Sequence, residues 1–114
     1  MSQRSRNTAA RLRAHAPIFA ALGDKTRLSL VVRLSQGRPY SISQLTRGSN
    51  LTRQAITKHL RVLQRVGVVH SVRMGRESRF ELNPQPIEGL KEYLDLVSEQ
   101  WDQALSRLKL FVED

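Results

Sequence analysis

The segment Asn50–Val66, NLTRQAITKHLRVLQRV, decides the fold, because its polar and apolar residues separate completely onto two sides of a helix. At 100° per residue, the cations and amides from Arg53 to Arg65 fall within an arc of about 140°, and the apolar residues fill the opposite arc. The polar side carries no acid, although a solvated helix ordinarily mixes both signs of charge. The segment therefore predicts a helix that buries one side and offers hydrogen-bond donors and positive charge to a partner on the other.

Charge is divided unevenly along the whole chain. The 114 residues hold 19 Lys and Arg against 10 Asp and Glu, a net charge of +9. Residues 1–76 contain 15 of the basic residues and one acid, Asp24, whereas residues 77–114 contain four basic residues and nine acids. A field of one sign over such a length favours a polyanionic partner, either nucleic acid or an anionic membrane surface.

Composition argues against several classes of protein. The apolar fraction of 39% suffices for one hydrophobic core, and no apolar run approaches the ~18–20 residues that span a bilayer. The basic N-terminus lacks the apolar segment of a secretory signal, and the absence of cysteine removes disulfides and thiolate metal ligands. No Ser/His/acid set, carboxylate pair or glycine-rich phosphate loop indicates an enzyme. We expect a cytoplasmic, non-enzymatic protein with one domain over residues 1–114, of which residues 1–10 form a flexible basic tail.

The N-terminal half is typical of helices. Residues 8–22 predict a first helix, kinked or restarted at Pro17, and residues 25–36 predict a second, capped by Asp24. A connector at 38–40 has room for a brief strand. A short helix follows, with a capping box between Ser41 and Gln44, and a tight glycine-containing turn joins it to the segment quoted above, which Thr52 or Asn50 would cap.

Two helices joined by such a turn, the second with a donor-rich side, form a helix-turn-helix. A DNA major groove about 12 Å wide admits one helix, whose N-terminal residues meet base edges. Arg53 suits guanine, Gln54 suits adenine and Thr57 suits either base, whereas Lys58 and Arg61 suit phosphates. His59 lies in the apolar arc, so we expect a packed, hydrogen-bonded histidine rather than a DNA contact.

A β-hairpin follows, with strands predicted at 68–73 and 78–83 and Gly75 at the tip. Its arginines would let it reach the DNA backbone or minor groove as a wing. The predicted fold is therefore mainly α with a small β-hairpin, a winged helix-turn-helix in the order α-α-(β)-α-α-β-β-α. The predicted DNA-binding residues are Thr52, Arg53, Gln54, Thr57, Lys58, Arg61, Arg73, Arg76 and Arg79.

The segment 86–112 predicts a dimerisation helix. Apolar residues from Ile87 to Phe111 alternate in spacing between three and four, which is a heptad seam. A helix of about 39 Å is longer than a small domain needs, so we expect pairing with a second copy of the chain rather than packing within one domain. A twofold dimer would present its donor helices to half-sites about 34 Å apart in a palindromic operator. The predicted interface contains Ile18, Phe19, Leu90, Leu94, Val97, Trp101 and Leu108.

Three stretches, ALGDKTRLSLVVRL (21–34), LTRQAITKHLRVLQRVGVV (51–69) and RMGRESRFEL (73–82), resemble the ArsR-type bacterial winged-helix repressors. The resemblance covers roughly residues 16–112. It implies a homodimer, paired through its first and last helices, that represses transcription by occupying a promoter. It also implies base contacts at Arg53, Gln54, Thr57 and Lys58.

Many members of that family release DNA when a metal or metalloid binds, and this chain departs from them. The expected thiolate pair falls on Ser41 and Ser43, and the last helix has no histidine for the family's interhelical zinc site. His15, His59 and His70 lie on three elements, whereas zinc requires three or four clustered ligands. We expect a metal-independent regulator with no metal site and no cofactor, and the sequence identifies no inducer.

Two other functions stay open. One is a metal-sensing switch of the same fold, and the other is a winged helix that binds RNA or docks a protein. RNA recognition normally uses aromatic side chains for base stacking, and no aromatic residue lies between Tyr40 and Phe80. We therefore expect a sequence-specific, homodimeric repressor that binds double-stranded DNA.

Overall fold

The computed structural model describes residues 3–113, with side chains for residues 10–112. Within these residues the chain forms five helices and three strands. They are α1 (Gln3–Leu22), α2 (Lys25–Leu34), β1 (Tyr40–Ser41), α3 (Ile42–Arg47), α4 (Arg53–Arg65), β2 (Val69–Met74), β3 (Glu77–Leu82) and α5 (Pro84–Glu113). The order confirms the predicted winged helix-turn-helix, and the brief strand before the third helix is present.

α1 is one helix that includes Pro17, so the predicted restart at this proline is wrong. A proline inside a helix removes one backbone hydrogen bond. The flanking Ile18 and Ala21 are buried in the core, and their packing holds the helix beyond that break. Helical backbone begins at Gln3 and so includes most of the predicted tail 1–10, of which Met1 and Ser2 lie outside the described residues.

The core forms around the apolar side of α4. Ile56, Leu60 and Leu63 are at most 1% exposed, and each such side chain contributes about 1.5–3 kcal/mol when it leaves water. They pack with buried residues from other elements of the same chain, which are Ile18, Ala21, Leu30, Leu34, Tyr40, Leu45, Val68, Val69 and Leu90. The predicted apolar arc is confirmed as the buried side of this helix.

Side-chain caps begin three of the helices as the sequence predicts. The Asp24 carboxylate accepts a hydrogen bond from the backbone N–H of Arg27 at 2.9 Å, and Ser41 and Gln44 form a complete capping box at α3. Thr52, the first of the two predicted candidates, caps α4 and accepts from Ala55 N–H at 3.1 Å. These bonds satisfy backbone donors that a helix start leaves without partners.

Arg33 fixes α2 against the end of α3. Its Nη1 donates to the carbonyl of Leu45 at 2.8 Å and its Nη2 donates to the carbonyl of Gln44 at 3.1 Å. The guanidinium lies over the helix-turn-helix turn, and a Cβ on Gly48 would be 3.0 Å from Arg33 Nη1. The φ of Gly48 is −97°, so it is the neighbouring guanidinium, not the backbone conformation, that favours a glycine here.

The three strands form an antiparallel sheet in the order β1-β3-β2. Each hairpin strand lies within one residue of its predicted bounds, and Gly75 has a φ of 66° at the tip. On the other side of β3, Tyr40 pairs with Phe80 and Ser41 pairs with Arg79. The hairpin, which we call the wing (Val69–Leu82), is thereby joined to the start of α3.

α5 begins at Pro84, two residues before its predicted start at residue 86, and contains 30 residues. Its first part closes the core, where Leu90 is 6% exposed. Every described side chain from Ser98 to Val112 is exposed, and the molecule measures 64 × 31 × 22 Å. Among the described residues, no helix has both the length and the apolarity to cross a membrane.

Candidate nucleic-acid interface

The exposed side of α4 carries the predicted donors. Arg53, Gln54, Lys58 and Arg61 are exposed, and Thr57 is half-buried. Together with Thr52 and Ala55, these five line one open depression along the helix. The structure therefore brings the six predicted α4 residues onto one surface.

Two hydroxyls on this surface already have backbone partners. The Thr52 hydroxyl accepts from Ala55 N–H at 3.1 Å, and the Thr57 hydroxyl donates to the carbonyl of Arg53 at 2.7 Å. Thr57 therefore offers a base its remaining acceptor capacity and its methyl group. The cations and the amide of Gln54 supply the donors.

The wing carries two exposed arginines, Arg73 and Arg76, and Arg76 lines a depression together with Arg53 of α4. Its third predicted arginine, Arg79, is half-buried and its Nε donates to the Glu77 carboxylate at 2.9 Å. The sequence-based prediction missed this ion pair. The available signal was the two-residue spacing, because residues i and i+2 of a strand lie on the same face.

Arg53 has a partner outside its own helix. Its Nη1 donates to the Ser43 hydroxyl on α3 at 3.1 Å. Both residues line a second depression, between α3, α4 and the wing, together with Ser41, Ile42, Arg76, Glu77 and Ser78. The helical period of α4 gives no information on a residue of α3, so Ser43 was missed as a contact of the predicted base reader.

His59 lies on the back of α4, half-buried, as its place in the apolar arc predicts. Its Nδ1 is 3.3 Å from Arg27 Nη1 and 3.9 Å from the Asp24 carboxylate. The hydrogen bond from Arg27 N–H lowers the pKa of Asp24 most. Desolvation raises this pKa by a lesser amount, and the charges of Arg27 and His59 each lower it by less again. This cluster connects the start of α2 to the middle of α4 behind the exposed side.

The residues predicted for a dimer interface fall into three groups by exposure. Ile18 and Leu90 are buried in the core of their own chain, so they already have partners there. Phe19 and Val97 are half-buried. The other three are largely exposed in the single chain, at 50% for Leu94, 69% for Trp101 and 59% for Leu108.

The positions considered for metal binding have other contacts. Ser41 caps α3 and Ser43 binds Arg53. The His15 ring packs against Tyr93, and His70 Nε2 is 2.8 Å from the Glu81 carboxylate. In the part of the chain that the structure describes, no three His, Asp or Glu side chains cluster so that they could hold a metal ion.

Comparisons with known proteins agree with this geometry. A family profile described as a helix-turn-helix domain matches residues 22–72. The uncharacterized HTH-type transcriptional regulator YuzN of Bacillus subtilis is 38% identical over an alignment of 79 residues, and the match covers 64% of this chain and 86% of YuzN.

Two solved structures are similar over most of the chain. An ArsR-like transcriptional regulator from Rhodococcus sp. RHA1 has 33% identity and a TM-score of 0.77, over 92% of this chain and 95% of that one. The homodimeric winged helix-turn-helix DNA-binding domain of a possible ArsR-family regulator from Mycobacterium bovis shares the fold, with 21% identity and a TM-score of 0.64 over 88% of this chain and 89% of that one. These relatives are transcriptional regulators and not enzymes, and the chain belongs to the ArsR-type family of winged helix-turn-helix transcriptional regulators.

Proposed function

We propose that this regulator is a homodimeric repressor that occupies a palindromic operator in double-stranded DNA and needs no metal. The observation that carries the proposal is the exposed side of α4, where cations and an amide lie on a helix that contains no acid. Only a partner rich in negative charge and hydrogen-bond acceptors complements such a surface over its whole length.

The side chains divide between base reading and positioning. Arg53, Gln54 and Thr57 lie in the first two turns of α4, the part of a recognition helix that meets base edges. Lys58 and Arg61 bind phosphates. The Thr52 hydroxyl, whose oxygen accepts the cap bond from Ala55, donates its proton to a phosphate at the start of the helix. Arg73, Arg76 and Arg79 bring the wing to the adjacent backbone or minor groove.

Dimerisation is supported by the apolar side chains that distal α5 (Ser98–Val112) leaves in water. Trp101 is 69% exposed and Phe111 is 81% exposed, and a contiguous apolar surface of this kind marks an interaction site. A second copy of the chain offers the same heptad seam, and a domain of this fold in M. bovis is homodimeric. The proposed interface contains Phe19, Leu94, Val97, Trp101 and Leu108, bordered by the buried Ile18 and Leu90.

Metal independence is supported by the hydroxyls of Ser41 and Ser43, which are weak ligands and already hydrogen-bonded within the chain. Repression then follows from occupancy of a promoter in the cytoplasm. Titration with zinc, cadmium or arsenite should leave the affinity for DNA unchanged. A metal that releases the protein from DNA at stoichiometric concentration would contradict this part of the proposal.

The test is selection of bound fragments from random duplex DNA, followed by a salt titration on the selected site. We expect an inverted repeat with half-sites about one helical turn apart. If the dimer neutralises ~8 phosphates, log affinity against log salt should have a slope near roughly −7. A flat salt response, or preference for single-stranded RNA in competition, would contradict DNA recognition by this surface.

A further inference from the structure

Ser43 contacts the residue to which the proposed function assigns guanine recognition. Arg53 Nη1 donates to the Ser43 hydroxyl at 3.1 Å. Arg53 is the first residue of α4 and Ser43 is the second residue of α3, so the bond crosses the helix-turn-helix. We infer that Ser43 is a positioning residue that holds the Arg53 guanidinium for base recognition and couples it to the wing, an inference that rests on the proposed function.

Ser43 is itself held firmly. The capping box of Ser41 and Gln44 fixes the first turn of α3, with bonds of 3.1 and 2.8 Å. Ser41 also belongs to β1, which pairs with Arg79 of β3 in the wing. The Ser43 hydroxyl therefore lies on backbone that is constrained at once by a helix cap and by the sheet.

The bond restricts Arg53 without exhausting its donors. A guanidinium has five N–H groups, and Ser43 takes one of them, which leaves a bidentate pair for guanine. Arg76 and Glu77 line the same depression. The Glu77 carboxylate is already paired with Arg79, so the like charge of Arg76 opposes movement of Arg53 further toward the wing. The serine hydroxyl and the neighbouring arginine together favour one direction for the Arg53 side chain.

The experiment measures base discrimination at single positions. Duplexes carrying the selected half-site, with each of the four base pairs at every position in turn, are titrated with the parent protein and its variants. Arg53→Ala identifies the position that Arg53 reads. Ser43→Ala should reduce discrimination at that same position by about fivefold, the equivalent of one net hydrogen bond, and leave discrimination elsewhere unchanged.

Three further variants make the result specific. Ser43→Thr keeps a hydroxyl and should keep the parent's discrimination. Ser78→Ala removes a hydroxyl that lines the same depression and should also match the parent. The double variant Ser43→Ala/Arg53→Ala should equal Arg53→Ala, because without the guanidinium Ser43 has nothing to position.

Each contrary outcome is distinct. Parent discrimination in Ser43→Ala would overturn the inference, as would an equal loss of affinity for all duplexes, which indicates a structural role. If Arg53→Ala leaves every position unchanged, Arg53 reads no base and the inference falls with that assignment. Failure of the proposed function is a different result, in which the parent itself prefers no duplex sequence.

Discussion

α4 and distal α5 (Ser98–Val112) are both amphipathic helices, yet they leave opposite sides without a partner. On the apolar side of α4, Ile56, Leu60 and Leu63 are each at most 1% exposed. The exposed side carries cations and no acid. In distal α5 the charged residues include both signs, such as Asp102 and Arg107, while Trp101 and Phe111 are 69% and 81% exposed.

The comparison shows that the side of each helix left without contacts in its own chain indicates the kind of partner that the helix binds. The apolar side of α4 is buried within the domain, and the helix carries no acid to balance its exposed cations. Its exposed side therefore favours a polyanionic partner. Distal α5 carries charges of both signs, and its apolar side chains are exposed to water. It therefore favours a partner that offers another apolar surface. Six substitutions test this contrast, in order of decreasing expected effect.

Leu63→Ala removes a side chain that is fully buried behind α4. The free energy of unfolding should fall by about 2–5 kcal/mol, since the lost contacts and the cavity both cost stability. Urea denaturation measures the loss. Leu63→Met, which nearly conserves volume, should lose less than about 1.5 kcal/mol, and equal losses for the two variants would show that packing at this site is loose.

Trp101→Ala removes the largest exposed apolar side chain in the middle of α5. If a second copy covers it, the free energy of dimer dissociation should fall by about 2 kcal/mol or more, as for a central aromatic anchor. Sedimentation equilibrium measures the change. Ser106→Ala, exposed on the same helix but outside the heptad seam, is the control, and an unchanged dimer in Trp101→Ala would place the interface elsewhere.

Arg53→Ala and Lys58→Ala separate the two roles proposed within α4. Losing Arg53 should relax preference at one base pair by about 1–3 kcal/mol, whereas losing Lys58 should weaken all sequences alike and reduce the salt slope by about one. Binding titrations with matched and mutated operators give both quantities. Uniform weakening by Arg53→Ala would reassign this arginine to a phosphate.

Glu77→Gln removes the carboxylate that holds Arg79 at 2.9 Å in the wing. An exposed pair of this kind is worth about 0.2–1 kcal/mol, so freeing the arginine should tighten binding to all duplexes by no more than a few fold and steepen the salt slope. Glu81→Gln, whose partner is His70, is the matched control. Weaker binding of Glu77→Gln would mean that the ion pair orients Arg79 for DNA instead of competing with it.

Asp24→Asn should have the smallest effect, and only through pH. The pKa of Asp24 is lowered chiefly by the hydrogen bond from Arg27 N–H. Its charge therefore stabilises the fold above the ordinary aspartate pKa, and this contribution is lost as pH falls through the lowered pKa of the folded state. Asparagine still caps the helix, so the Tm difference between parent and variant should be present at neutral pH and vanish in acid. A constant difference across pH would assign the effect to the cap alone.

Much of the fold could be predicted from the sequence because local rules agree with one another. The two-sided pattern of α4, the capping residues Asp24, Ser41 and Thr52, and Gly75 at the hairpin tip each describe contacts within a few residues along the chain. Where a local rule conflicted with packing, packing prevailed. Pro17 stays inside α1 because the buried Ile18 and Ala21 hold the last part of the helix, which follows the proline, against the core.

α5 begins two residues before its predicted start at residue 86 for a related reason. Proline is favourable at the first position of a helix, which admits both Pro84 and Pro86 as starts. The backbone N–H of Asn83 donates to the carbonyl of Val68 at 2.9 Å, and this bond between the end of β3 and the start of β2 fixes the chain just before Pro84. The bond that closes the open end of the hairpin, between residues 15 positions apart, decided between the prolines.

The surface of the candidate site was predictable, whereas its internal contacts were not. Helical period places Arg53, Gln54, Lys58 and Arg61 on the exposed side of α4. The bonds from Arg53 to Ser43 and from Arg79 to Glu77 depend on how α3 and the wing pack and on which rotamers the side chains adopt. The first contact joins two elements, and periodicity within one element carries no information about it. The second lies within β3, where the spacing places both residues on one face and the rotamers decide whether they bond.

The guanidinium of Arg33, bound to two carbonyls at the end of α3 and seated over Gly48, has a consequence for kinetics. Charge-assisted bonds to the end of α3 make the angle between α2 and α3 costly to change, and the same guanidinium lies against the turn that leads into α4. A recognition helix whose orientation is already fixed binds DNA as a rigid body, without a preceding conformational change. Its rate of association with DNA should therefore follow diffusion and ionic strength, and differences between operators should appear as differences in residence time.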